Sequence, residues 1–126
     1  MNLSRAQVLR RGMEIIREEA GNDALLEGCG MPLSTGIGLV DLMRVGPDTG
    51  PFWIKPMTML LRSGTMLGLR NSLRNSLVRG PQHRRLWLND PDCLMLRRQR
   101  TRLTEAERQS QVNALTLLGG PLLISD

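Results

Sequence analysis

Tyrosine is absent from this chain, phenylalanine and histidine occur once each, and cysteine occurs twice. Each scarcity removes a class of function. Proteins that hold single-stranded nucleic acid stack its bases on aromatic rings, and here only Phe52, Trp53 and Trp87 could serve. One histidine, His83, and two cysteines, Cys29 and Cys93, at no metal-like spacing argue against a Cys/His zinc site. No apolar run reaches the roughly 18 residues that a membrane helix needs. The start, Met1-Asn2-Leu3-Ser4-Arg5, lacks the basic-then-apolar layout of a signal peptide. We therefore expect a cytoplasmic protein with no membrane contact, no metal and no cofactor.

Lysine is nearly missing as well. Of 17 basic residues, Lys55 is the one that is not arginine. The net charge of +5 raises the question of nucleic acid. The arginines are spread along the chain, however, and only Arg97-Arg98-Gln99-Arg100-Thr101-Arg102 is dense. Nucleic acid is not the expected partner; a basic module acting through that cluster is kept as an alternative. The 126 residues, with 40% hydrophobic and 23% charged, suit one small domain with a core.

The first helix is well signalled. Ser4 and Gln7 form a capping box, with Leu3 and Val8 placed for a hydrophobic staple. Val8, Leu9, Ile15 and Ile16 recur at helical spacing, and Gly21 ends the helix. Residues 24–28 read as a short buried strand before the break at Cys29-Gly30. Residues 31–38 read as a loop, and the stretch to Arg44 as a helical turn and then a strand. Pro56 suits a helix start. Residues 57–78 have helical spacing interrupted at Gly64 and Gly68, with Leu69, Leu73 and Leu77 in one stripe. The methionines at 57, 59 and 66 read as gap fillers. Leu86-Trp87-Leu88-Asn89 is a strand that stops at Asp90-Pro91-Asp92-Cys93. Thr104 and Glu107 cap a second clear helix, ended by Gly119-Gly120. Pro121 to Ile124 is a last buried strand, followed by Ser125 and Asp126.

Short apolar strands alternating with helices predict a parallel α/β fold. Polar residues gather where strands stop: Cys29, then Arg44 with Asp48, then Asn89 to Asp92. In parallel sheets and (β/α)8 barrels that end is the ligand-binding face. The stretch Arg44-Val45-Gly46-Pro47-Asp48-Thr49-Gly50-Pro51-Phe52-Trp53 is the centre of this pattern. A strand halts at Gly-Pro and delivers one carboxylate, Asp48, into a turn, with Arg44 four residues before it. A capped turn with a surface ion pair would have the same spacing.

Leu26-Glu27-Gly28-Cys29-Gly30-Met31-Pro32-Leu33, Met43-Arg44-Val45-Gly46-Pro47-Asp48 and Trp87-Leu88-Asn89-Asp90-Pro91-Asp92-Cys93-Leu94 resemble successive strand ends of the melibiase-type α-galactosidases. These are retaining glycoside hydrolases built on a (β/α)8 TIM barrel. Gly120 to Asp126 resembles the family's last barrel strand. The resemblance implies that residues 1–126 are a partial barrel domain, about four βα units holding strands 5–8, without the N-terminal half and the last helix.

It also implies roles. Asp48 matches the acid/base, and Arg44 matches a donor to a sugar hydroxyl. Cys29 and Gly30 match the end of the fifth strand, which lines the sugar pocket. Asp92 matches a seventh-strand carboxylate near the site, and Trp53 falls in the pocket wall. Retention needs one carboxylate to attack the anomeric carbon and another to protonate the leaving oxygen. An acid/base must release its proton and take it back. A tight cation would hold Asp48 ionised, so Arg44 is better read as a sugar donor than as its close partner. The family's nucleophile sits in a Lys-x-Asp strand, and no Lys-x-Asp occurs here. The expected partners are thus an α-galactoside and a complementary half-barrel chain, or a second copy. The alternative is a non-catalytic α/β half-barrel module that self-associates. The two cysteines are expected as buried free thiols, His83 as a surface helix-end residue, and Asn89 and Asp90 as caps of the turn.

Overall fold

The computed structural model describes residues 3–55, 60 and 66–125. The helix start at Pro56, the methionines at 57 and 59, the break at Gly64 and the terminal Asp126 lie outside the described residues.

Helix α1, Arg5–Ala20, begins with the expected capping box. Ser4 Oγ accepts from the Gln7 amide and Gln7 Oε1 accepts from the Ser4 amide at 2.8 Å. The staple does not close: Leu3 is 54% and Val8 58% exposed. No residue of α1 is buried, and Ile15 and Ile16 face outward beside Val8. The helix packs mainly against a tight turn at Leu33–Gly36 and sends Met13 toward the core. The apolar stripe that marks α1 in the sequence is therefore only partly covered.

Three short strands follow in chain order: β1 Glu27–Gly28, β2 Leu42–Arg44 and β3 Leu88–Asp90. They pair in parallel, β1 with β2 and β2 with β3. Glu27, Leu42 and Leu88 stand at matched positions, as do Arg44 and Asp90. Side chains alternate between faces. One face thus carries Glu27, Leu42, Arg44, Leu88 and Asp90, and the other carries Gly28, Met43 and Asn89. The second face is buried, with Met43 fully inside. The first is partly open, with Leu88 41% exposed.

The seventh-strand region departs from expectation. The chain does not stop at Asp90. Pro91 and Asp92, the latter at φ 74°, interrupt the ladder, and the chain resumes as β4, Cys93–Leu94. That segment pairs in parallel with β5, Leu123–Ile124. Among the described residues, five short strands in two sheets replace the four strands expected from the sequence. The cause is local: proline cannot donate to a ladder, and a left-handed residue turns the strand axis. Gly120 brings β5 past β3. A Cβ there would stand 2.4 Å from the Asn89 carbonyl oxygen, so only glycine fits without movement. The last strand is not buried either; Leu122, Leu123 and Ile124 are all exposed.

Helix α2, Leu69–Val78, covers one end of this arrangement, and helix α3, Glu105–Leu118, packs against it. Leu69 and Leu73 enter the core, but Leu77 faces solvent. The buried face of α2 passes instead through Ser72 and Ser76. Those small side chains let the helix approach the turn after β2, where Gly46 lies against the Ser72 backbone. Leu69, Leu73, Leu94, Met95, Leu103 and Leu115 form one core cluster, and Val40, Met43, Val45 and Trp87 form another. Gln111 of α3 joins helix to strand like a ladder residue. Its Nε2 donates to the Cys93 carbonyl at 2.8 Å, and its Oε1 accepts from the Met95 amide at 2.9 Å.

Candidate functional site

Arg44 closes β2, and its guanidinium meets carboxylates from three directions. Nε donates to Asp90 Oδ2 on the neighbouring strand. Nη1 stands 3.1 Å from Asp92 Oδ1 and 3.7 Å from Asp48 Oδ1. The register explains the first contact, since Arg44 and Asp90 are direct partners on one face of the sheet. The kink at Pro91 explains the second, because it swings Asp92 back over the end of β2. The two interior carboxylates are buried, with Asp90 at 1% exposure, whereas the Asp48 side chain is 81% exposed. Asp48 thus stands at the rim, free to meet a ligand.

The Asp92 carboxylate also accepts from the Thr49 amide. Thr49 Oγ1 lies 3.1 Å from Ser72 Oγ, which donates to the Pro91 carbonyl at 3.0 Å. This chain of bonds ties the Asp48 turn to α2 and to the β3–β4 kink. Arg79 secures the same turn from the far side, donating to the Val45 carbonyl at 2.7 Å. An open cleft of about 220 Å³ runs beside Arg44, with Gly30, Pro47 and Arg79 among its walls.

Glu27 completes the group, and the sequence reading does not single it out. Its carboxyl hydrogen-bonds that of Asp90 across the strands. That bond and burial hold Glu27 above the usual glutamate range. Burial pushes Asp90 up, but the hydrogen bonds from Glu27 and Arg44 outweigh it and hold Asp90 below the usual aspartate range. Glu27 therefore keeps its proton to higher pH than Asp90 does. Burial opposes the charge of Arg44, yet Asp90 and Asp92 together raise its affinity for its proton. Cys93 stands next to Asp92, and burial and that contact push its thiol up. Glu27 is legible only through register, because β2 lies between it and Asp90 and only the sheet puts both on the same face.

The other expected residues divide. Cys29 follows the end of β1, and Gly30 lines the cleft. Both cysteines are free, as expected, but Cys29 is exposed rather than buried. Trp53 packs against the cluster around Leu69 and Leu73. His83 is not a surface bystander: Nδ1 accepts from the Asn89 amide at 3.0 Å, and Nε2 is buried without a partner. Asn89 and Asp90 are strand residues more than turn caps. Asn89 joins Trp87 and Arg79, while Asp90 combines its ion pair with one capping bond from the Asp92 amide at 2.8 Å.

Buried carboxylates around a cation, with one more at an open rim, suit polyhydroxylated ligands, because acceptors and donors converge on one point. The same arrangement of elements occurs in known structures. An α-galactosidase from Thermus thermophilus in complex with stachyose superposes with a TM-score of 0.78 at 33% identity, over 92% of this chain and 25% of that one. This chain is similar to part of an α-galactosidase. An α-galactosidase from the same organism in complex with p-nitrophenyl α-D-galactopyranoside gives a TM-score of 0.78 at 34% identity, over 93% of this chain and 24% of that one. The fold is thus a small α/β unit of glycoside-hydrolase type, and it spans about a quarter of the length of these structures. No family model matches the chain. No helix among the described residues is long and apolar enough to cross a membrane.

Proposed function

We propose that residues 1–126 are a portion of the catalytic (β/α)8 barrel of a melibiase-type, retaining α-galactosidase, corresponding to strands 5–8. Asp48 is the acid/base at the rim, and Arg44 donates to a hydroxyl of the bound galactoside through its Nη side. Asp92 holds Arg44 from beneath, Cys29 and Gly30 line the pocket, and Trp53 braces the wall from the core. The observation that carries this reading is the convergence of Arg44, Asp48, Asp90 and Asp92 at parallel strand ends, in a fold that superposes on galactoside-bound α-galactosidases. The exposure of Asp48 at the rim supports the acid/base role, because its carboxyl is open to a bound glycoside.

The retaining reaction follows from these roles. A carboxylate attacks the anomeric carbon while Asp48 gives its proton to the leaving oxygen; Asp48 then takes a proton from water as it attacks the glycosyl-enzyme. The nucleophile is not matched within residues 1–126, so it comes from a complementary part of the barrel. The partly open face of β1–β3, with Leu88 41% exposed, and the partly covered stripe of α1 support a missing neighbour. The test is hydrolysis of stachyose, a poor-leaving-group substrate, by this chain mixed with a complementary half-barrel. Turnover is expected only in the mixture, and Asp48→Asn is expected to lower it by about 10²–10⁴-fold. Full turnover by the complemented Asp48→Asn chain would falsify the assignment.

A second reading has its own support. Among the described residues β1 and β5 each pair on one side only. Unpaired parallel edges attract strands, so two copies could close on each other as a non-catalytic module. A sedimentation mass of one compact chain would count against it.

A further inference from the structure

We infer that Asp90 and Glu27 form a positioning pair for Arg44, with Asp90 anchoring Nε so that the guanidinium is held in one orientation at the wall of the cleft. This rests on the reading of Arg44 as a sugar-hydroxyl donor, and it adds two residues which that reading does not use. Three observations carry it. Asp90 is among the most deeply buried side chains of the molecule, and its Oδ2 takes the Nε of Arg44. The register places Asp90 directly opposite Arg44, so the contact is built into the sheet. Its second oxygen, Oδ1, accepts from the Asp92 amide at 2.8 Å, which fixes the carboxylate plane and places Asp92 under Nη1.

A guanidinium held at Nε has lost its main freedom to swing, and its outer nitrogens then point in one direction. Glu27 lies on the other side of Asp90 and hydrogen-bonds it. While Glu27 carries its proton, its O–H donates to the Asp90 carboxylate. When Glu27 loses its proton, two like charges face each other across β1 and β3, and the grip on Arg44 changes. The charged and titratable groups facing this pair are Arg44 on β2, Asp92 and Cys93 at the kink, Cys29 after β1, and Asp48 at the rim.

The experiment is nitrogen-15 NMR of the Arg44 Nε–H group in the full 126-residue chain, with Glu27→Gln and Asp90→Asn variants and a galactose titration. In the parent chain this group should exchange slowly with water and shift as pH crosses the Glu27 titration. Asp90→Asn should speed its exchange by about tenfold or more, as expected for a lost charge-assisted bond. Glu27 is exposed, so Glu27→Gln should fold normally, keep slow exchange and abolish the pH-dependent shift. A Glu27→Gln chain with an unchanged pH-dependent shift overturns the inference, as does an Asp90→Asn chain that folds and still protects Nε–H. If Asp90→Asn does not fold, the Glu27→Gln result decides alone. Galactose reports separately: intact Nε–H behaviour without any response to galactose would refute the sugar-donor reading while leaving the positioning pair in place.

Discussion

Arg44 on β2 holds Asp92 at 3.1 Å, across the kink that separates β3 from β4. Both side chains are largely buried, at 16% and 8% exposure. Asp92→Ala leaves Arg44 paired with Asp90 but strips one carboxylate from Nη1 and the acceptor from the Thr49 amide. It is therefore expected to cost about 1–3 kcal/mol in urea denaturation. A loss below that of an ordinary surface substitution would mean that the pair is solvated.

The Glu27–Asp90 pair predicts an opposed pH dependence. Glu27 binds its proton more tightly in the folded state, so its contribution is present at low pH and is lost as pH rises through its folded value. Asp90 binds its proton less tightly when folded, so its contribution is present above its unfolded value and lost as pH falls. Stability should peak in mildly acidic solution, where Glu27 is neutral and Asp90 ionised. Melting temperatures across the acidic-to-neutral range should show Glu27→Gln flattening the decline on the neutral side.

Asp41 sets a third dependence at the opposite ends of the strands. It accepts from the Leu26 amide at 2.9 Å and pairs with Arg17 of α1. The Leu26 bond and the arginine hold its carboxyl below the usual range. Its contribution is present above the unfolded value and is lost as pH falls through the folded one. Asp41→Ala should cost about 1–3 kcal/mol and should loosen α1, seen as faster amide exchange in that helix.

Gly120→Ala should destabilise by about 1–3 kcal/mol or more through overpacking, because the new methyl meets backbone rather than a movable side chain. Thermal melts would show it, and a neutral result would mean that β5 does not pass so close to β3.

Gln111→Ala should leave the Met95 amide and the Cys93 carbonyl unpaired. The expected loss is about 1–3 kcal/mol for each group. Chemical denaturation against a Gln111→Glu control, which keeps the acceptor but not the donor, would separate the two.

Helix ends were legible because their chemistry is local. Ser4 with Gln7 and Thr104 with Glu107 each close a box within four residues, and both boxes are present. The parallel α/β class followed from alternation. Local pattern and structure part where the outcome depends on distant packing. Leu77 fits the stripe of Leu69 and Leu73, yet the close approach of Gly46 turns Ser72 and Ser76 inward instead. Apolar spacing on α1 and in residues 121–124 reads as buried, but spacing cannot say whether a neighbour is present to cover it. Asp90 reads as a turn cap because its side chain can bond the nearby backbone; its pairing with Arg44 spans 46 residues.

The sequence by itself determined the helix caps, the break points at glycine and proline, and the order of polar strand ends that places Arg44 and Asp48 together. These rest on interactions between residues a few positions apart. Only the tertiary structure decided that Asp90 is the anchor of Arg44, that Glu27 stands on the same face as that pair, and that Asp92 returns over β2. Strand register brings those side chains together, and register is fixed by the packing of the whole sheet and its helices.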